Sequence, residues 1–137
     1  MLTKNEPYAD IVYTAGELIT GARDTGGHTC DRYGNRPEAQ GWAVGGACVG
    51  FSAPIEAASR DAATAPGGLV DKVALWIQAQ PSNVQFFGSW ADSGRVYFDG
   101  VSIVATLSEA MDMLRARDED AAFNLADGTL IRRQAAA

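Results

Sequence analysis

The stretch from Phe86 to Arg133 constrains this chain most, because local rules alone make it a complete folding unit. Phe86-Phe87-Gly88-Ser89-Trp90 has the aromatic content of a strand, and Asp92-Ser93-Gly94 follows it with turn chemistry. Arg95 to Asp99 then alternates with period two, sending Val96 and Phe98 to one face and Tyr97 and Asp99 to the other. Gly94 supplies the positive φ that closes a short hairpin without Cβ strain. The extended run continues past Gly100 over Val101 to Ala105, with a bulge expected at the glycine. Thr106 and Glu109 form a capping box in which the hydroxyl and the carboxylate each satisfy one free helix N–H. Leu107, Ala110, Met111 and Leu114 then repeat at helical spacing, and Arg115 and Arg117 fall in the last turn, where cations complement the helix dipole. A strand over Ala122 to Leu125, a two-residue turn at Asp127-Gly128 and a return over Thr129 to Arg133 complete a ββαββ unit.

Upstream, Thr14 and Glu17 make a second capping box, with Leu18, Ile19 and Ala22 on one stripe and Gly26-Gly27 as the stop. His28 to Asp31 and Trp42 to Val44 read as two strands of a hairpin with a long loop, and Ala47 to Phe51 as a further short strand. The alanine-rich run from Ala57 to Ala65 fits a loose helix or an exposed loop. Leu69, Val70, Val73, Trp76 and Ile77 hold a helical period that Pro81 ends. The expected class is α+β, a mainly antiparallel sheet with about three helices packed on it. At 137 residues one domain is expected, 1–137, with an N-terminal part (1–83) and a C-terminal part (84–134).

The charge balance excludes one class of function. Seventeen acidic residues against eleven basic give a net charge of −6, whereas a protein that neutralises phosphates needs a basic face. An acidic exterior instead attracts a basic partner or imitates nucleic acid. The apolar runs are far shorter than the ~20 residues of a membrane span, so no membrane partner is expected. Lys4, Glu6 and Asp10 interrupt any signal-peptide core, which makes a cytoplasmic location the expectation.

The candidate chemistry is sparse, and no cofactor or metal is expected from these residues. His28 is the sole histidine, and His28-x-Cys30-Asp31 with the distant Cys48 lacks the paired ligand spacing of a zinc site. Residues 28 and 30 share one face of a strand, so a small enzyme gathering His28, Cys30, Asp31 and Asp99 is the alternative reading. Cys30 and Cys48 are too few for a disulfide framework and are expected as free thiols, possible neighbours across a sheet. Asp92, Asp99 and Asp127 fall at expected strand ends or turns, where Asp commonly bonds its own backbone. Trp90 and Tyr97 lie on opposite arms of the hairpin as a cross-strand pair, suited to core packing or, if exposed, to anchoring a partner. The candidate binding set is therefore Trp90, Asp92, Tyr97 and Asp99 with the acidic triplet Asp118, Glu119 and Asp120.

Gly88-Ser-Trp90, Gly94-x-Val96-Tyr97-x-Asp99, Glu109-Ala110, Ala122-x-x-Leu125 and Gly128 give the chain a pattern that resembles a set of small uncharacterised proteins of actinobacteria, their phages and plasmids. Thr25-Gly26-Gly27-x-Thr29 and Gly41-Trp42-Ala43-Val44 look like the N-terminal half of the same pattern. The resemblance implies an accessory protein of a mobile element or its host, and it brings no catalytic residues with it. Taken with the charge, it leads to the expectation of a small acidic, non-enzymatic protein that binds another protein. Inhibition of a host defence complex, in the manner of an anti-CRISPR or antirestriction factor, is the expected role. A homo-oligomeric structural protein paired through the aromatic hairpin is a third reading.

Overall fold

The computed structural model describes residues 5–133; the two ends of the expected 1–137 domain, Lys4 and residue 134 included, lie outside the described residues. The elements run α1 (Asn5–Thr25), β1 (Gly27–Asp31), β2 (Trp42–Val44), β3 (Phe51–Pro54), α2 (Arg60–Thr64) and α3 (Leu69–Ala79). They continue with β4 (Phe86–Asp92), β5 (Arg95–Val104), α4 (Leu107–Arg117), β6 (Ala121–Asn124) and β7 (Leu130–Arg132). The strands form one antiparallel sheet ordered β1-β4-β5-β2-β6-β7, with β3 also beside β5. The class is α+β with an antiparallel sheet, and the last third is the ββαββ unit.

β5 organises the molecule. One edge pairs with β4 from Arg95 to Val101; the other is divided between β3, at Arg95 to Phe98, and β2, at Ser102 to Val104. Residues 45–50 fill the gap between β2 and β3, and the Ala47 N–H donates to Gly100 O at 3.0 Å. Gly100 is glycine because that loop lies on it: a Cβ there would sit 2.5 Å from Cys48 Sγ and 3.0 Å from Cys48 N. The strand therefore passes Gly100 unbroken, and the bulge expected there is replaced by the close approach of a loop.

All the helices with a substantial apolar face lie on one side of the sheet. Ile11, Ala15, Leu18, Ile19 and Ala22 of α1 and Leu69, Val73, Ala74 and Ile77 of α3 bury themselves with Cys30, Phe87, Val96 and Phe98. Burying each large side chain contributes about 1.5–3 kcal/mol. A second, smaller cluster joins Ala110 and Leu114 of α4 to Val44 and Ala122. Val44 lies opposite Ser102, which shares the alternation of Val96 and Phe98 along β5. The reverse side of the strands carries Trp90, Tyr97, Phe86, Ile103 and Phe123. None of the described helices is long and apolar enough to cross a membrane.

Several local expectations are corrected. α1 does not start at a Thr14–Glu17 box, because its apolar stripe continues back to Ile11. Thr14 is a buried mid-helix residue whose hydroxyl lies 2.9 Å from Asp10 O and 2.8 Å from Arg32 O. β1 and β2 do not form a hairpin: β1 pairs with β4, while β2 lies between β5 and β6. The strand expected over Ala47 to Phe51 begins at Phe51, the residues before it being the loop over Gly100. Of the two readings of Ala57 to Ala65 the structure takes the helical one, as a 3₁₀ turn (Ile55–Ala58) and α2 that bury Ala58 and Ala63, and not the exposed loop. Leu107 is exposed at the first turn of α4 and leaves the stripe to Ala110 and Leu114. The β6–β7 turn is longer than Asp127-Gly128, as Asn124 N–H donates to Thr129 O and Gly128 N–H to Asn124 O, both at 2.8 Å.

Candidate binding face

The β4–β5 hairpin builds the face. Ser93 and Gly94 close it with φ of 50° and 80°, the two consecutive positive values of a twist-matched two-residue turn. The register pairs Trp90 with Tyr97, Gly88 with Asp99 and Phe86 with Val101 on one side. Phe87, Ser89 and Ala91 alternate to the core side, where Ser89 Oγ donates to Leu18 O at 2.6 Å. Trp90 and Tyr97 stack with centroids 5.3 Å apart and an interplanar angle of 14°. Trp90 is 43 % exposed, so this cross-strand pair stands on the surface rather than in the core. Its neighbour Gly88 must lack a side chain, because a Cβ would lie 2.9 Å from Val101 Cγ2.

The same side of the sheet stays apolar further along. Leu130, Phe123, Ala43 and Ile103 form one cross-strand row, with Phe123 39 % and Leu130 56 % exposed. Between this row and the aromatic pair, Phe86 and Ile103 floor a shallow groove of about 520 Å³ rimmed by Pro37, Glu38 and Gln40. Gln40 Nε2 donates to Glu38 Oε2 at 2.6 Å and fixes that carboxylate at the rim. Asp92 is exposed at the hairpin end beside Trp90 and accepts from Ser93 Oγ at 3.3 Å.

Asp99 departs from the expected strand-end position. It is interior to β5 and only 9 % exposed, and its Oδ2 accepts the Gly46 N–H at 2.9 Å. Glu119, from the connection between α4 and β6, turns in and meets it side chain to side chain. Burial pushes the Asp99 carboxyl up, opposed by the Gly46 amide. Burial, and then the Asp99 charge, push Glu119 up as well. Arg117 lies beside both, but its guanidinium donates to Gly45 O at 3.0 Å and to Ser102 Oγ at 2.8 Å. The acidic triplet is therefore divided among three tasks. Asp118 adopts a left-handed conformation at the end of α4 (φ 56°) and pairs with Arg133 at 2.8 Å. Glu119 faces inward, and Asp120 is exposed, with its carbonyl accepting the Arg133 N–H.

The constellation around His28 is not assembled. His28 packs against Gly21 of α1, where an added Cβ would overlap the imidazole's own Cβ, and burial lowers its pKa. Its Nε2 is buried and has no hydrogen-bond partner among the described residues. Burial pushes the Cys30 thiol up to about 12, far from the thiolate a nucleophile needs. The row His28–Ser89–Phe98 faces the core, whereas Asp99 belongs to the row Thr29–Gly88–Asp99 on the reverse side. Asp31 Oδ1 accepts from the Tyr33 and Asn35 amides at 2.9 Å and shapes the next turn. Cys30 and Cys48 are both free: Cys30 lies opposite Phe87, which lies opposite the Gly100 that Cys48 covers.

Phe86, Ile103 and Arg117 join the site although none of them is in the binding set expected from the sequence. Period-two counting back from Trp90 and forward from Tyr97 places Phe86 and Ile103 on the aromatic side, so that signal was available. Arg117 gives no comparable sign, since the period of α4 does not reveal its acceptors, Ser102 Oγ on β5 and Gly45 O just past β2. Comparison with protein-family models, with curated proteins and with solved structures finds no match to this chain.

Proposed function

We propose that this chain is a non-enzymatic binding protein that docks a basic protein surface through the side of its β4–β5 hairpin that none of the described helices covers. The observation that carries this reading is the stacked Trp90–Tyr97 pair, with Trp90 exposed and Tyr97 half-buried, on a sheet side whose opposite is packed by α1, α3 and α4. Stacked aromatics of this kind supply rigid contact area at little cost in conformational entropy, and Trp and Tyr dominate the energetic centres of protein interfaces. Glu38 at the groove and the net charge of −6 favour a cationic partner, while Asp92 beside the pair is matched by Arg95 opposite it. In the mobile-element setting that the sequence resemblance implies, such a partner is the nucleic-acid channel of a host defence complex, and occupying it blocks the complex. The acidic exterior then serves as a competitor for nucleic acid.

The test is capture from host lysate at low and moderate salt with wild type and Trp90→Ala in parallel. A protein retained by wild type, displaced by added nucleic acid and lost with Trp90→Ala supports the reading. Loss of a central anchor of this type costs about 2 kcal/mol or more, roughly a thirtyfold drop in affinity. Capture that is indifferent to both Trp90→Ala and nucleic acid overturns it. Light scattering on the same two proteins distinguishes self-association: a wild-type dimer that Trp90→Ala dissolves makes the face a homotypic interface instead.

A further inference from the structure

We propose that Asp99 and Glu119 share a single proton, and that losing it turns Glu119 out to solvent and opens the corner between α4 and β6. The two carboxyls come from β5 and from the connection that follows α4, and they meet beneath Gly45 and Gly46. A side chain at Gly45 would strike Asp99 Oδ2, and one at Gly46 would lie 2.9 Å from Glu119 Oε1. The charged and titratable groups facing the pair are Arg117 from α4, Asp120 before β6 and Cys48 from the loop over Gly100. Arg117 is the cation among them, and three of its five N–H groups donate to Val44 O, Gly45 O and Ser102 Oγ. Two ionised carboxylates in contact beside one engaged guanidinium, with Asp120 adding to the repulsion, leave a negative charge uncompensated. A proton held between them removes it and makes a charge-assisted hydrogen bond.

The two partners differ in what they do when that proton leaves. Asp99 is the deeper of the two and keeps the Gly46 N–H, a bond that ionisation strengthens. The loop over Gly100 is also held independently at its far end, where Trp76 Nε1 donates to Val49 O at 2.9 Å. Glu119 is the half-exposed partner and the one free to swing outward. The bonds it leaves behind are those of the corner itself: Glu119 N–H to Leu114 O at 2.9 Å and Arg133 N–H to Asp120 O at 2.7 Å. Both carboxyls have raised pKa in the fold, so the closed corner is favoured on the acid side and is lost as pH rises through the raised folded value.

Amide hydrogen exchange on the full chain from acid to mildly alkaline pH, corrected for intrinsic exchange, tests this. Protection of the Glu119 and Arg133 amides is expected to fall by about tenfold for each pKa unit of elevation, while Gly46 and Ala47 keep theirs. Glu119→Gln replaces the shared proton with an amide donor and is expected to hold the corner closed at every pH. Asp99→Asn does the same and retains an acceptor for Gly46. Carboxyl carbon shifts of wild type give a readout that needs no variant. The proposal is overturned if Asp99 and Glu119 both titrate in the ordinary range near ~4, or if Glu119→Gln shows the same pH-dependent fall as wild type.

Discussion

A thiol reacts as its surroundings allow, and the two cysteines have very different surroundings. Cys30 is fully buried between α1 and the sheet, whereas Cys48 lies half-buried over Gly100. Native protein treated with iodoacetamide at mildly alkaline pH should be modified at Cys48, with Cys30 labelled only in denaturant; peptide mass spectrometry reads the order. Equal labelling of both in the native state would contradict the placement. The pH dependence has a definite sign. An unfolded thiol ionises near ~8.5, and in the fold Cys30 is pushed up to about 12, so this contribution is intact below the first value and is lost as pH climbs toward the second. At this scale the sequence was a good guide to faces and a poor one to destinations. Alternation correctly set residues 28 and 30 on one side, and 97 and 99 together on the other. It says nothing about which side a helix will cover, and that decided the fate of Trp90, His28 and Asp99 alike.

The two capping boxes show why one element was legible and another was not. Thr106 precedes α4 with φ −120° and ψ 155°, and its Oγ1 accepts from Glu109 N–H at 3.1 Å while donating to the Glu109 carboxylate at 2.9 Å. The expected reciprocal bond is thus made to the hydroxyl. Thr106→Ala should destabilise the protein by about 1 kcal/mol, and Thr106→Ser should recover most of it, measured by urea denaturation. No difference between Ala and Ser at this position would remove the cap from the account. The same Thr-x-x-Glu spacing at Thr14 and Glu17 sits inside a helix, because the stripe through Ile11 already specifies helix upstream. A motif marks a boundary only where the apolar period begins after it. Turn chemistry behaved similarly: Ser93-Gly94 closed the hairpin its neighbours needed, while the long link from β1 to β2 closed none.

At the scale of the molecule, two clusters of unequal size lean on one strand. The cluster beneath α4 rests on Val44, Ala110, Leu114 and Ala122, so Leu114→Ala, a loss of about 2–5 kcal/mol, should open that end alone. Hydrogen exchange is expected to show α4, β6 and β7 amides losing protection while those of β4 and its pairing with β5 keep theirs. Uniform loss across the sheet would mean that the two clusters unfold as one. Class was readable from the order of elements, but strand order was not, since every neighbour of β1, β2 and β3 lies far along the chain. That arrangement has a consequence for biosynthesis. The first three strands to leave the ribosome have no partners among themselves, and each must wait, with its backbone groups solvated, for β4, β5 or β6 to be translated. Assembly of the sheet is thus timed by the arrival of a late ten-residue segment, and a nascent chain stalled before it would be a ready substrate for chaperones and proteases.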